Sequence, residues 1–71
     1  MDFYNIFEEV IEGQAYNPYA DPNGKDGTIN IDFLNENFGE YETATEMKQN
    51  TKSKGLKKFF DYLVDEGKIP E

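Results

Sequence analysis

Phe3, Ile6, Phe7, Val10 and Ile11 fall at i, i+3, i+4, i+7 and i+8, one face of a helical repeat. The spacing predicts an N-terminal helix, with Asp2 as its N-cap and Gly13 as its stop. The same rhythm returns near the other end in Leu56, Phe59, Phe60, Leu63 and Val64, with Ser53 ahead of them as a cap and Gly67 and Pro70 behind as terminators. Two segments with matching apolar faces are expected to pack against each other.

Between them the pattern breaks. Residues 14–28 are rich in turn dipeptides: Asn17-Pro18, Asp21-Pro22, Asn23-Gly24 and Asp26-Gly27. Residues 29–38 carry two signals. Ile29, Ile31 and Phe33 alternate as a strand would. Asn30 is also a good N-cap, with Ile29 and Leu34 at staple spacing around it, Ile31, Leu34 and Phe38 on one helical face, and Gly39 as a stop. The helix is the preferred reading. Thr43-Ala44-Thr45-Glu46 matches a capping box and predicts a short helix to about Gln49. The expected fold is therefore mainly α, a small single domain. Long first and last helices pack together, with one or two short helices and a turn-rich loop between them. The alternative is α+β, with a short strand or hairpin around 19–33 pairing against part of that loop.

Composition sharpens this picture mainly by exclusion. Seventy-one residues suffice for one domain, and a chain of that size buries roughly 60% of its unfolded surface, so the core is thin. Cys and His are both absent, which removes disulfides, thiolate sites and the commonest zinc ligand. Ser53 is the only Ser, so nucleophilic catalysis lacks both a second candidate and a base. So short a chain is also expected to offer little volume for a substrate cleft. No phosphate-cradling glycine loop is present. The chain is expected to be no enzyme and to need no cofactor. No basic start with a following apolar run is visible, nor any run of the ~20 apolar residues a membrane helix needs, so a cytoplasmic location is expected.

Charge points toward a partner. The net charge is -8, from fifteen acids against seven lysines, with no Arg. Residues 1–47 hold eleven of the acids and one base, Lys25, whereas residues 48–71 hold six lysines and four acids. Lys54 and Lys58 stand at helical spacing to pair with Asp61 and Asp65. A field this negative repels nucleic acid and anionic membrane and attracts basic protein surfaces. Glu8, Glu9, Glu12, Asp32, Glu36, Glu40 and Glu42 are the candidate binding acids. Tyr16, Tyr19 and Tyr41, expected to be exposed, are the candidate anchors, since Tyr adds contact area with a polar tip.

Carboxylates at helical i, i+3 and i+4 spacing lie ~5–6 Å apart, close enough to the phosphate spacing of a strand to compete for a DNA-binding groove. In type the chain resembles the small acidic DNA-mimic inhibitors of phages and plasmids, the anti-restriction and anti-CRISPR proteins: tiny, acidic, aromatic-rich and Cys-free. That resemblance implies a basic, nucleic-acid-handling partner, without direct contact to nucleic acid or membrane. It leaves the oligomeric state open.

Two other readings have a basis in the chain. Residues 21–29 look like the start of an EF-hand or dockerin loop, which would make the chain a calcium-binding module with Asp21, Asn23 and Asp26 as oxygen ligands and a Gly turn. In that family acids stand at loop positions 1, 3 and 5; here Lys25 is inserted and Asp26 comes one residue late. The third reading is a structural or oligomerisation domain that associates through apolar helix faces.

Overall fold

The computed structural model describes residues 1–19 and 27–71. Its elements in chain order are a 3-10 turn (Phe3–Asn5), strands β1 (Gln14–Tyr16) and β2 (Thr28–Asn30), and helices α1 (Ile31–Phe38), α2 (Ala44–Gln49) and α3 (Lys54–Asp65). Helices thus combine with one antiparallel hairpin, as in the alternative expectation.

The predicted N-terminal helix does not form. Asp2 does cap, its carboxylate accepting the Tyr4 N–H at 3.0 Å, but it caps only the 3-10 turn. The Phe3 N–H then donates to Asn35 Oδ1 of α1 at 2.7 Å, tying the chain to that helix. Further on, Ile11 and Gln14 exchange both backbone N–H···O bonds at 3.0 Å. This closes a two-residue turn over Glu12 and Gly13, whose φ values are 54° and 76°. Two successive positive φ values are the requirement of the type I′ hairpin turn. Gly13 therefore reverses the chain rather than stopping a helix.

The physical reason lies in what the apolar rhythm is made of. Phe3, Tyr4, Ile6, Phe7, Val10 and Ile11 are indifferent helix formers, because β-branched and aromatic side chains lose χ1 freedom against the preceding turn, and Asn5 is another, because its amide competes for backbone hydrogen bonds. Glu8, Glu9 and Glu12 have no base within a turn to offset their repulsion. An irregular path meets the burial demand without a helix. Phe3 is wholly buried, and Ile6, Phe7 and Val10 pack partly against the core. Ile11, expected on the buried face, is 63% exposed.

β1 and β2 pair antiparallel in the register Gln14↔Asn30, Ala15↔Ile29 and Tyr16↔Thr28. Alternation along the strands buries Ala15 and Ile29 and leaves Tyr16 in solvent. The two signals read over 29–38 are both realised in succession. Ile29 belongs to the strand, and Asn30 then caps α1, its side chain accepting from the Asp32 and Phe33 N–H groups at 2.8 and 3.3 Å. Ile31, Leu34 and Phe38 are buried together on one face of α1.

α2 and α3 begin where the caps predict. Thr43 Oγ1 accepts from Glu46 N–H at 3.3 Å, and Ser53 Oγ from Leu56 N–H at 3.1 Å. The remaining free donors at the start of α2 are met from far along the chain: Ala44 and Thr45 N–H groups donate to the carbonyls of Pro70 and Glu71 at 2.9 and 3.0 Å. α3 ends in a Schellman motif. Gly67 sits at φ +73°, its N–H reaching Val64 O at 2.9 Å, while Lys68 N–H reaches Leu63 O at 2.9 Å.

Leu56, Phe59, Phe60 and Leu63 of α3 form the middle of the core, with Phe38 set edge-on to Phe60 at 5.0 Å between ring centroids. Packing differs from the expected pairing of end helices: α3 lies on α2 and the N-terminal 3-10 turn lies on α1, while Phe7 of the first stretch still stacks on Phe59 of α3. The lysine pairing differs too. Asp61 meets Lys48 of α2 at 2.7 Å, rather than a lysine of its own helix. Among the described residues, no helix is long and apolar enough to cross a membrane.

Candidate acidic and aromatic interface

The hairpin turn and the segment leading into it gather half of the candidate site. Glu8, Glu9 and Glu12 are all exposed, as are Tyr16 (64%) and Tyr19 (37%). Pairing between the arms of the turn stops at Ile11 and Gln14, and beyond it the arms part. Glu9 and Tyr16 border two depressions. One is an open groove of about 510 Å³ running past Ile11, Glu12 and Gly27. The other, about 130 Å³, lies toward Phe7 and Tyr62.

Tyr62 is the residue that organises the aromatic side, and sequence reasoning passed over it. Tyr16 and Tyr19 both meet its ring edge-on, at 6.5 and 6.3 Å between centroids. Beneath it lie Phe59, stacked at 6.4 Å, and Phe7, stacked on Phe59 at 6.1 Å. Burial holds the Tyr62 hydroxyl above its ordinary pKa, and the Glu66 carboxylate beside it adds to the shift. The available signal was positional. Tyr62 lies three residues after Phe59, hence beside it on α3, and the face they share is the one the hairpin tyrosines reach.

The second half of the candidate set lies on α1 and the connection after it. Asp32, Glu36, Glu40 and Glu42 are exposed. Tyr4 links the two halves. Its hydroxyl donates to Asp32 at 2.9 Å and lies 3.7 Å from where a Cβ on Gly13 would stand. The Ile31 N–H also bonds Gly13 O at 2.8 Å, so the turn tip and the start of α1 are held together. The hydrogen bond to Asp32, with burial and the charges of Asp32 and Asp2, raises the Tyr4 pKa. Tyr41 departs from expectation. It is half-buried, packed on the core at 6.5 Å from Phe38, because it lies three residues past Phe38, off the end of α1, with its N–H bonded to Phe38 O at 3.1 Å. Burial, then the neighbouring Glu40 carboxylate, raises its pKa.

Neutralisation of these acids is slight. The described ion pairs are Lys48–Asp61 and Lys68–Glu8, the latter at 4.0 Å with the Glu8 side chain 92% exposed. Among the described residues no lysine meets Glu9, Glu12, Asp32, Glu36, Glu40 or Glu42, and no group of three or more carboxylates could hold a metal ion. The oxygen-rich segment with Asp21, Asn23 and Asp26 lies outside the described residues. The grooves are larger than so short a chain was expected to offer. Besides the one beside Tyr16, an open groove of about 440 Å³ runs between α2 and α3 past Lys48, Asp61 and Asp65. No protein-family model, curated protein or solved structure matches this chain.

Proposed function

We propose that this chain is an acidic protein-binding inhibitor or adaptor. It acts as a DNA mimic that occupies the nucleic-acid groove of a basic, nucleic-acid-handling protein such as a defence nuclease. The observation that carries this reading is the set of exposed carboxylates on the hairpin turn and on α1, two elements held together by the Ile31–Gly13 bond and bridged by Tyr4, with few lysine partners among the described residues. Such a concentration of negative charge steers a basic partner toward this face and fixes its orientation. The tyrosines beside it supply contact area that slows dissociation. Association through apolar helix faces has less to draw on, because Ile31, Leu34, Phe38, Leu56, Phe59, Phe60 and Leu63 are all spent within the chain.

The test is capture from a host lysate, eluted by a salt gradient with and without duplex DNA. The expected catch is a nucleic-acid-handling protein that leaves between low and moderate salt and is displaced by DNA. Changing Glu8, Glu9 and Glu12 together to Lys should abolish that capture and leave the circular dichroism spectrum unchanged. Equal capture by the reversed protein would refute the assignment.

A further inference from the structure

Tyr16 and Tyr62 stand at 73° to each other, so their rings form two walls of the 130 Å³ depression rather than a stack. Phe7, Leu63, Glu8, Glu9 and Lys68 complete its lining. The Tyr62 wall is stiff, since Phe59 supports it from below and Tyr19 abuts it from outside. The volume is well under the ~300 Å³ at which small-molecule sites begin; it suits one side-chain head group. Aromatic faces attract cations through the ring quadrupole, and carboxylates accept the N–H groups of a guanidinium in parallel. Lys68, carried there by the Schellman turn, already lines the depression with its ammonium 4.0 Å from Glu8, an ion pair that an incoming guanidinium replaces.

We propose that this pocket receives a single arginine side chain of the protein partner, the guanidinium lying against the tyrosine rings and bonding to Glu8 and Glu9. The assignment rests on the reading of the acidic face as a protein-binding surface and names the chemistry that face recognises. Arginine fits better than lysine because its charge is planar, weakly hydrated and forked, so it stacks and bonds at once.

The experiment is an NMR titration of the isotope-labelled whole chain with the peptide acetyl-Gly-Arg-Gly-amide. The same peptide with citrulline serves as a neutral isostere, and with lysine as a point charge. The arginine peptide should give saturable shifts at Tyr16, Tyr62, Glu8 and Glu9, the lysine peptide weaker ones, and the citrulline peptide none that saturate. Tyr16→Leu, at an exposed position, should weaken arginine binding about 2- to 5-fold, and Tyr16→Phe should leave it within about 2-fold, since the ring alone supplies the cation–π contact. Equal shifts from arginine and citrulline overturn the pocket, as do shifts centred on Asp32 and Glu36 that survive Tyr16→Leu. If lysate capture remains DNA-sensitive while the pocket ignores arginine, this inference falls and the mimic stands. If the pocket takes arginine while no nucleic-acid-handling protein is captured, the mimic falls and the pocket stands.

Discussion

Residues 3–11 and 56–64 carry apolar side chains at the same five offsets, yet only the second stretch is helical. The difference lies in what surrounds the apolar positions. α3 has lysines and Asp61 between its apolar residues, a serine that caps its first turn and a glycine that closes its last. The first stretch has Tyr4, Asn5, Glu8 and Glu9 in its gaps, acids without a base, and aromatic or β-branched side chains at the apolar places. Its cap, Asp2, supports one turn, and its glycine belongs to a hairpin. Apolar periodicity therefore reports which side chains seek the core. The gaps between them decide whether a helix delivers them there.

That contrast can be broken most severely in the core. Phe60→Ala, at a fully buried position in α3, should cost about 3–5 kcal/mol, most of the stability of a domain this small. Phe7→Ala, at a half-buried position in the first stretch, should cost about 1–2 kcal/mol. Urea denaturation followed by circular dichroism measures both, and equal losses would erase the distinction.

Glycine substitutions sharpen it at the backbone. Lys57→Gly, inside α3 and exposed, should lose about 1 kcal/mol, the usual penalty of glycine in a helix. Glu9→Gly should stay within about 0.5 kcal/mol, because no helix is there to weaken. A loss at Glu9 as large as that at Lys57 would mean that the first stretch is helical in solution.

The turn offers a change of opposite sign. Glu12 holds a left-handed φ of 54° without being glycine, a conformation that costs about 1–2 kcal/mol in an ordinary residue. Glu12→Asn should raise the melting temperature, by up to about 1 kcal/mol of added stability, since Asn tolerates that region. If the carboxylate contacts the partner, the same variant should weaken capture. More stability with undiminished capture would detach Glu12 from the binding face.

The smallest effect is a titration. Tyr4, Tyr41 and Tyr62 all have pKa values raised in the folded chain. Folding therefore holds their protons more tightly. Their contribution to stability is complete below the unfolded tyrosine pKa of about 10 and is lost as pH rises toward the folded values. Absorbance near 295 nm should show these three rings ionising above the ordinary tyrosine range in the folded protein. Glu66→Gln should bring Tyr62 down, and an unchanged Tyr62 would leave burial alone as the cause.

Local chemistry was the part of this structure most legible in the sequence. The caps at Asp2, Asn30, Thr43 and Ser53 all form, as does the glycine stop at Gly67, because each depends on a few neighbouring residues. What escaped was decided across the chain. Gln14–Tyr16 carries no strand signal of its own and becomes β1 by pairing with β2. Tyr41 looked like a surface ring until the end of α1 turned it against Phe38. In the candidate site the exposed acids were readable from charge alone. The meeting of Tyr16 and Tyr19 on Tyr62 needed the hairpin, and with it the small depression beside the acids.

The closure of α2 by the Pro70 and Glu71 main-chain oxygens couples two parts of the chain that lie far apart in sequence. A six-residue helix is far too short to hold itself against the cost of nucleation. Its first turn should therefore open together with residues 70 and 71, and amide hydrogen exchange at Ala44 and Thr45 should report the detachment of that segment.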